Sequence, residues 1–350
     1  MLLPRTDAGV GAGAPYLPVE QPALGRGGVR LLGGHVEPVV PADALVAAVG
    51  NQVEHLRPLL PVGYAAGAAA YRAAVADLTA RDLTTHYTAG LGWFRGEFVP
   101  RLKQTLHELS GGAWDLSDFE AFAAGSDVDF MAHLVEAAAV REGVSVYPGD
   151  WYGFRVGSTH PEKVCWSADA RGRLACLCVP SVRNGHLTAE MVEFLGGAGA
   201  CLLNLNLFPT LPPAERKATA EALAPVLGKS VLSISFSRGF GLTASQLGVA
   251  LVPRGHPYRT RYAPAWEWFT YFFNGIAAKA FMALDLGEVA RVDGERRAWV
   301  ADWLRSHGLP AVESGSYYVK AFRPDGDLPD AFAPLLRDGL VRLCFKPPAC

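Results

Sequence analysis

From Gly143 to Val252 short apolar runs alternate with helical patterns, and this alternation constrains the fold more than any other feature of the chain. Strands are expected at Val144–Tyr147, Leu174–Val179, Ala200–Leu205, Ser230–Phe236 and Leu247–Val252, with helices at Thr188–Leu195 and Ala214–Leu227 between some of them. A continuous apolar run offers no face to water, so each strand must be covered on both sides. With helical crossovers, that means a mostly parallel central sheet flanked by helices, and an α/β class.

Before this region the helical patterns are Ala42–Val49, Ala65–Leu78, Gly96–Leu109 and Asp127–Val140, the last placing Val128, Met131, Leu134 and Val135 on one face. Pro100 is tolerable in the first turn of its helix. Pro264–Leu284 carries too many large rings for one narrow stripe, so burial on several sides is expected, including by a partner subunit. A helix at Gly287–Ser306 leads to strands at Tyr317–Phe322 and Leu340–Phe345, a small α+β unit.

The division expected from this is a glycine- and proline-rich arm over 1–34, a part contributing to a small domain over 35–95, a large α/β domain over 96–284 and a C-terminal small domain over 285–350. Gly9–Gly13 resembles a dinucleotide loop only in its glycines, since neither a strand nor a helix flanks it. Lys plus Arg is 32 against 34 Asp plus Glu, which argues against a nucleic-acid partner. No run is long enough to cross a bilayer and no basic leader precedes an apolar one, so a cytoplasmic location is expected. Cys165, Cys176, Cys178, Cys201, Cys344 and Cys350 lack paired spacing, so free thiols and no metal site are expected. Scarce lysine beside abundant Ala, Gly, Pro and Arg suggests a GC-rich bacterial genome.

Ser235-Phe-Ser-Arg-Gly-Phe-Gly-Leu-Thr-Ala-Ser-Gln-Leu-Gly248 resembles the S-x-S-K-x-x-G-x-x-G-x-R-x-G segment of fold type I pyridoxal-phosphate enzymes, the class I/II aminotransferases in particular. In that family the lysine forms an imine with the cofactor and the arginine grips its phosphate. Arg238 and Gln246 stand at those positions. A guanidinium stays protonated and cannot be the imine nucleophile, and an amide brings no charge to a phosphate. The resemblance therefore implies an aminotransferase-like fold in a divergent member lacking the Schiff-base lysine.

The resemblance extends to other positions. Gly125-Ser126-Asp127 is similar to the turn that holds the phosphate at a helix N-terminus, with a plain N-cap as the alternative. Trp151 and Tyr152 fall in the family's aromatic segment beside the active site. Val179-Pro-Ser-Val-Arg-Asn-Gly185 matches a loop whose cofactor-binding asparagine falls at Val182, with Asn184 a partial substitute. Asn204, or Asn206, takes the place of the aspartate facing the pyridine nitrogen. Arg342 falls at the arginine that forks the substrate carboxylate, and the alternative there is a surface ion pair with Asp338. Lys229 is roughly 30 Å of strand from Arg238 at about 3.3 Å per residue. Lys320 is expected to be a solvated or helix-facing charge. His186 is a candidate acid or base, and His160 and His86 are weaker ones.

These substitutions imply a biosynthetic enzyme of specialised metabolism that works without a Schiff base and binds an amino acid or amino-acid-derived intermediate in the former cofactor pocket. That pocket is expected to comprise Gly125, Ser126, Asp127, Val182, Asn184, Asn204, Ser235, Ser237 and Gln246. Arg238, Tyr152 and His186 are the expected catalytic residues, and Arg342 and Trp151 the substrate-binding ones. No cofactor is expected, pyridoxal phosphate at most without a covalent link. A homodimer is expected, with a pathway enzyme as a further partner. The competing readings are a non-catalytic subunit that scaffolds another enzyme and a conventional aminotransferase with compensating contacts.

Overall fold

The structure, a computed structural model, describes residues 37–156, 158–243 and 246–348, without the side chains of 83–89. The expected arm, the Gly9–Gly13 segment and Cys350 lie outside these residues. The strands are β1 (Val39–Pro41), β2 (Phe119–Ala124), β3 (Val144–Val146), β4 (Val164–Trp166), β5 (Leu174–Cys178), β6 (Ala200–Asn204), β7 (Ser230–Ser235), β8 (Gly248–Pro253), β9 (Val319–Asp325), β10 (Leu336–Arg337) and β11 (Leu340–Cys344).

A seven-stranded sheet has the order β2-β8-β7-β6-β5-β3-β4. The run from β7 to β4 is parallel, and β8 and β2 add antiparallel pairs at the other edge. Register explains why these strands read as unbroken apolar runs. Leu177, Leu203 and Leu232 are aligned neighbours that enter one helix-covered core. Cys176, Leu202 and Val231, one residue earlier, enter the core on the opposite face. With a side-chain period of two, both sets must be apolar when both faces are buried.

The second sheet has the order β1-β9-β11-β10, with β1 parallel to β9 and the rest antiparallel. Three residues near position 40 thereby join strands near the C-terminus, a pairing that no local pattern announces.

Three local expectations change. The helix over Asp127–Ala139 buries Phe130, Met131, Leu134 and Val135, while Val128 is exposed because it lies at the edge of that stripe in the first turn. The helical run ending at Leu109 begins far earlier: Ala80–Trp93, capped by Thr79 and Asp82, continues through a wide turn at Phe94–Phe98. That wider turn lets Pro100, which has no N–H, sit inside a longer helical run. The aromatic segment forms two helices, Arg259–Tyr271 and Gly275–Met282, because the Asn274 side chain accepts from Ile276 and Ala277 N–H at 3.1 Å and starts a new helix. Trp266 is buried against Phe122 and Phe130, whereas Trp268, Tyr271 and Phe272 stay exposed.

Candidate functional site

A cavity of about 580 Å³ opens beyond the C-terminal ends of β5, β6 and β7, where a parallel sheet leaves a crevice between its loops. Its wall includes Arg57, Arg238, Arg337 and Arg342 together with Asp127, Asp150 and Glu54. Arg238 follows β7, and its Nη2 donates to the Leu59 carbonyl at 2.8 Å. Arg342 sits on β11, and its two Nη groups donate to the carbonyls of Val182 at 3.5 Å and Arg57 at 3.2 Å. In both side chains Nε is buried with no hydrogen-bond partner among the described residues. The alternative ion pair between Arg342 and Asp338 is not the one made: Asp338 accepts from Arg183 Nε at 2.9 Å. Leaving guanidinium donors buried on neutral carbonyls is costly unless an anion completes them.

The opposite wall is largely self-satisfied. Asn204 donates to the Met131 sulfur at 3.4 Å and accepts from the Asn206 N–H at 3.0 Å. Asn206 in turn bridges Asp127 at 2.8 Å and the Ser235 N–H at 2.7 Å, and Ser235 Oγ lies 3.0 Å from Ser237 Oγ. Burial pushes the Asp127 carboxyl up, against the Asn206 bond and the charge of Arg238. Ser235 and Ser237, like Gly125 and Ser126, do not line the cavity; Ser126 N–H donates to Asp129 at 2.9 Å in a capping box, which is the plain N-cap reading. Gln246 is exposed.

Asp150 was missing from the residues expected here. It follows the Pro148-Gly149 turn after β3, and its carboxylate accepts from the N–H groups of Trp151 at 2.7 Å and Cys178 at 2.8 Å. Burial pushes its pKa up to about 6 against those bonds. Cys178 also lines the cavity, and burial holds its thiol well above the ordinary range. The Pro-Gly-Asp turn at a strand end was the available signal for Asp150. Arg57 had none, because it reaches the cavity through tertiary packing.

Trp151 and Tyr152 both line the cavity, Tyr152 exposed at its mouth. Val182 lines it too and contributes its carbonyl to Arg342. The loop over residues 179–185 then turns away. Asn184 and His186 face a separate cavity of about 320 Å³ that also includes Glu37 and Glu313. His186 lies 3.9 Å from Glu215, so the structure does not bring it to Arg238. His160 sits near Glu136 and Glu162, and the His86 side chain lies outside the described residues.

Gly185 ends this loop at φ +82°, and a Cβ there would stand 2.6 Å from the Val319 carbonyl. Gly185→Ala is expected to destabilise the fold by about 2 kcal/mol, from left-handed strain and that clash. Denaturant unfolding reads the loss, and an unchanged midpoint would show that the loop relaxes freely.

No family model matches this chain, and no curated protein matches it. Solved structures do. YbdL from Escherichia coli, described with a methionine aminotransferase function, aligns with a TM-score of 0.57 at 14% identity over 88% of this chain and 96% of its own. L,L-diaminopimelate aminotransferase from Chlamydomonas reinhardtii aligns with a TM-score of 0.56 at 13% identity over 87% and 94%. Histidinol-phosphate aminotransferase from Sinorhizobium meliloti, solved in complex with pyridoxal-5'-phosphate, aligns with a TM-score of 0.51 at 16% identity over 88% and 90%.

These neighbours overturn the expectation of a cofactor-free pocket, since the shared fold is one that holds pyridoxal phosphate in the Sinorhizobium protein. The residues present do not fit that group in an imine-linked form. Such a link needs a lysine amine, and no lysine is among the described residues lining the cavity. Lys229 donates to the carbonyls of Gly196 and Ala198, and Lys320 is buried with its Nζ on the Ser314 carbonyl. The chain has the α/β fold of the aminotransferases, with a mostly parallel seven-stranded sheet and an arginine-lined crevice at its strand ends.

Proposed function

We propose that this aminotransferase-fold protein is a biosynthetic enzyme whose crevice binds an amino-acid-derived molecule carrying two acidic groups, held by arginine ion pairs and not by an imine to a residue at position 238. The carrying observation is the pair of guanidiniums, half-buried Arg238 and buried Arg342, each with a buried Nε that has no hydrogen-bond partner among the described residues, in a cavity large enough for a small ligand. Arg342 takes a carboxylate through its fork, and Arg238 takes the second acidic group or stabilises a developing anion. Trp151 bounds the substrate, and Tyr152 at the mouth is positioned to move a proton. The exposed Trp268, Tyr271 and Phe272 support a homodimer built on that face.

The test is calorimetric titration with N-acetyl-L-glutamate, a dicarboxylate derived from an amino acid. Arg238→Ala and Arg342→Ala are each expected to weaken binding by about 10–100-fold, the worth of one charge-assisted bond. Affinity unchanged in both variants, with their unfolding midpoints intact, overturns the reading.

A further inference from the structure

Resting on that reading, the geometry points to a ligand that carries a flat aromatic group in addition to its two anions. Leu60 and Val128 are 47% and 43% exposed, Tyr152 is 52% exposed, and all three line the one arginine-walled cavity. They come from three separate stretches: the segment between two helices near residue 60, the first turn of the Asp127–Ala139 helix, and the turn following β3. Trp151 joins them half-buried, its ring set edge-on against Phe154 at 5.1 Å.

Single exposed apolar side chains are ordinary on a protein surface, but convergence of several on the mouth of a charged crevice is the signature of a binding site. The floor and the mouth recognise different chemistry. Arg238 and Arg342 hold the acidic groups inward, so the remainder of a bound molecule is directed out past Val128, Trp151 and Tyr152. An aliphatic tail would gain burial there, and a ring would gain burial together with offset or edge contacts to Trp151 and Tyr152. The ligand class is therefore an aryl-bearing, amino-acid-derived diacid.

Two probes of equal charge test this: N-acetyl-L-glutamate and N-benzoyl-L-glutamate, titrated calorimetrically into the full chain. The benzoyl compound is expected to bind at least about tenfold more tightly. A Leu60→Ser/Val128→Ser double variant, altered only at exposed side chains, is expected to cut that ratio to about threefold or less. Equal dissociation constants for the two probes overturn the aromatic inference and leave the anion reading standing. Failure of both probes to bind overturns the anion reading and this inference with it. A ratio unchanged in the double variant, accompanied by altered sedimentation, shows a second copy covering these side chains and also overturns the inference.

Discussion

Arg183→Ala is expected to lower the unfolding free energy by about 3–5 kcal/mol, the range for breaking a buried ion pair from one side. Arg183 Nη1 donates to Glu37 at 2.6 Å and its Nε to Asp338 at 2.9 Å, and all three side chains are buried. Removing the guanidinium leaves two carboxylates in a low-dielectric interior, Asp338 without its Arg183 ion pair and Glu37 with Arg323 as its other cation. Glu37 retains contacts from Arg323 and Asn184, which is why the loss stays within that range. The three residues tie the segment before β1, the loop after β5 and the turn between β10 and β11. Diacid affinity is expected to fall too, since the same loop presents the Val182 carbonyl to Arg342. Arg183→Lys should recover part of the stability, because lysine restores the charge without the fork. Guanidinium unfolding measures this, and a loss below about 1 kcal/mol, the worth of an exposed pair, would rule out the account.

The second large effect is a pH dependence carried by Lys320. The sequence suggested a solvated or helix-facing charge, but the side chain is 1% exposed and its Nζ donates to the Ser314 carbonyl at 2.7 Å. Burial lowers its pKa from 10.5 to about 7, helped by Arg297 and opposed by Glu215 and Glu313. Between those two values the unfolded chain holds the proton and the folded chain does not, so stability rises with pH through this window. One proton contributes about 1.4 kcal/mol per pH unit, several kcal/mol across the whole interval. Lys320→Met is expected to remove the slope: more stable than the parent near pH 6, with the advantage vanishing toward pH 10. Unfolding curves of the two proteins at matched pH decide it, and parallel pH profiles would show that Lys320 titrates in its ordinary range.

The central strands were legible because burial on both faces demands apolar residues at every position, and such runs survive in a single sequence. The short β1, β4 and β10 were not, since two or three residues outside a longer apolar run carry no period, and the partner of β1 lies far away in the chain. β2 was missed for another reason: Phe119–Ala124 includes Glu120, which pairs with Arg259 at the sheet edge and breaks the apolar run. At the site, Arg238, Arg342, Trp151, Tyr152, Val182, Asn204 and Asp127 line one cavity, whereas Gly125, Ser126, Ser235, Ser237 and Gln246 are not in its wall. His186 and Asn184 do not, because the loop over 179–185 reverses before them and presents them to the other side. The expectation of a pocket without cofactor was an inference from missing charges, and the cofactor carried by a neighbour of this fold overturned it.

The sequence by itself determined the sheet class, the guanidinium at position 238 and the absence of an amine there, because these follow from side-chain chemistry and local periodicity alone. Only the tertiary structure decided that Arg238 and Arg342 share one crevice, that Asp338 belongs to Arg183, that Lys320 is buried and that His186 faces elsewhere. Each of those facts depends on which distant segments pack together. Packing is settled by the summed burial of two cores and not by any residue's own neighbours in the chain.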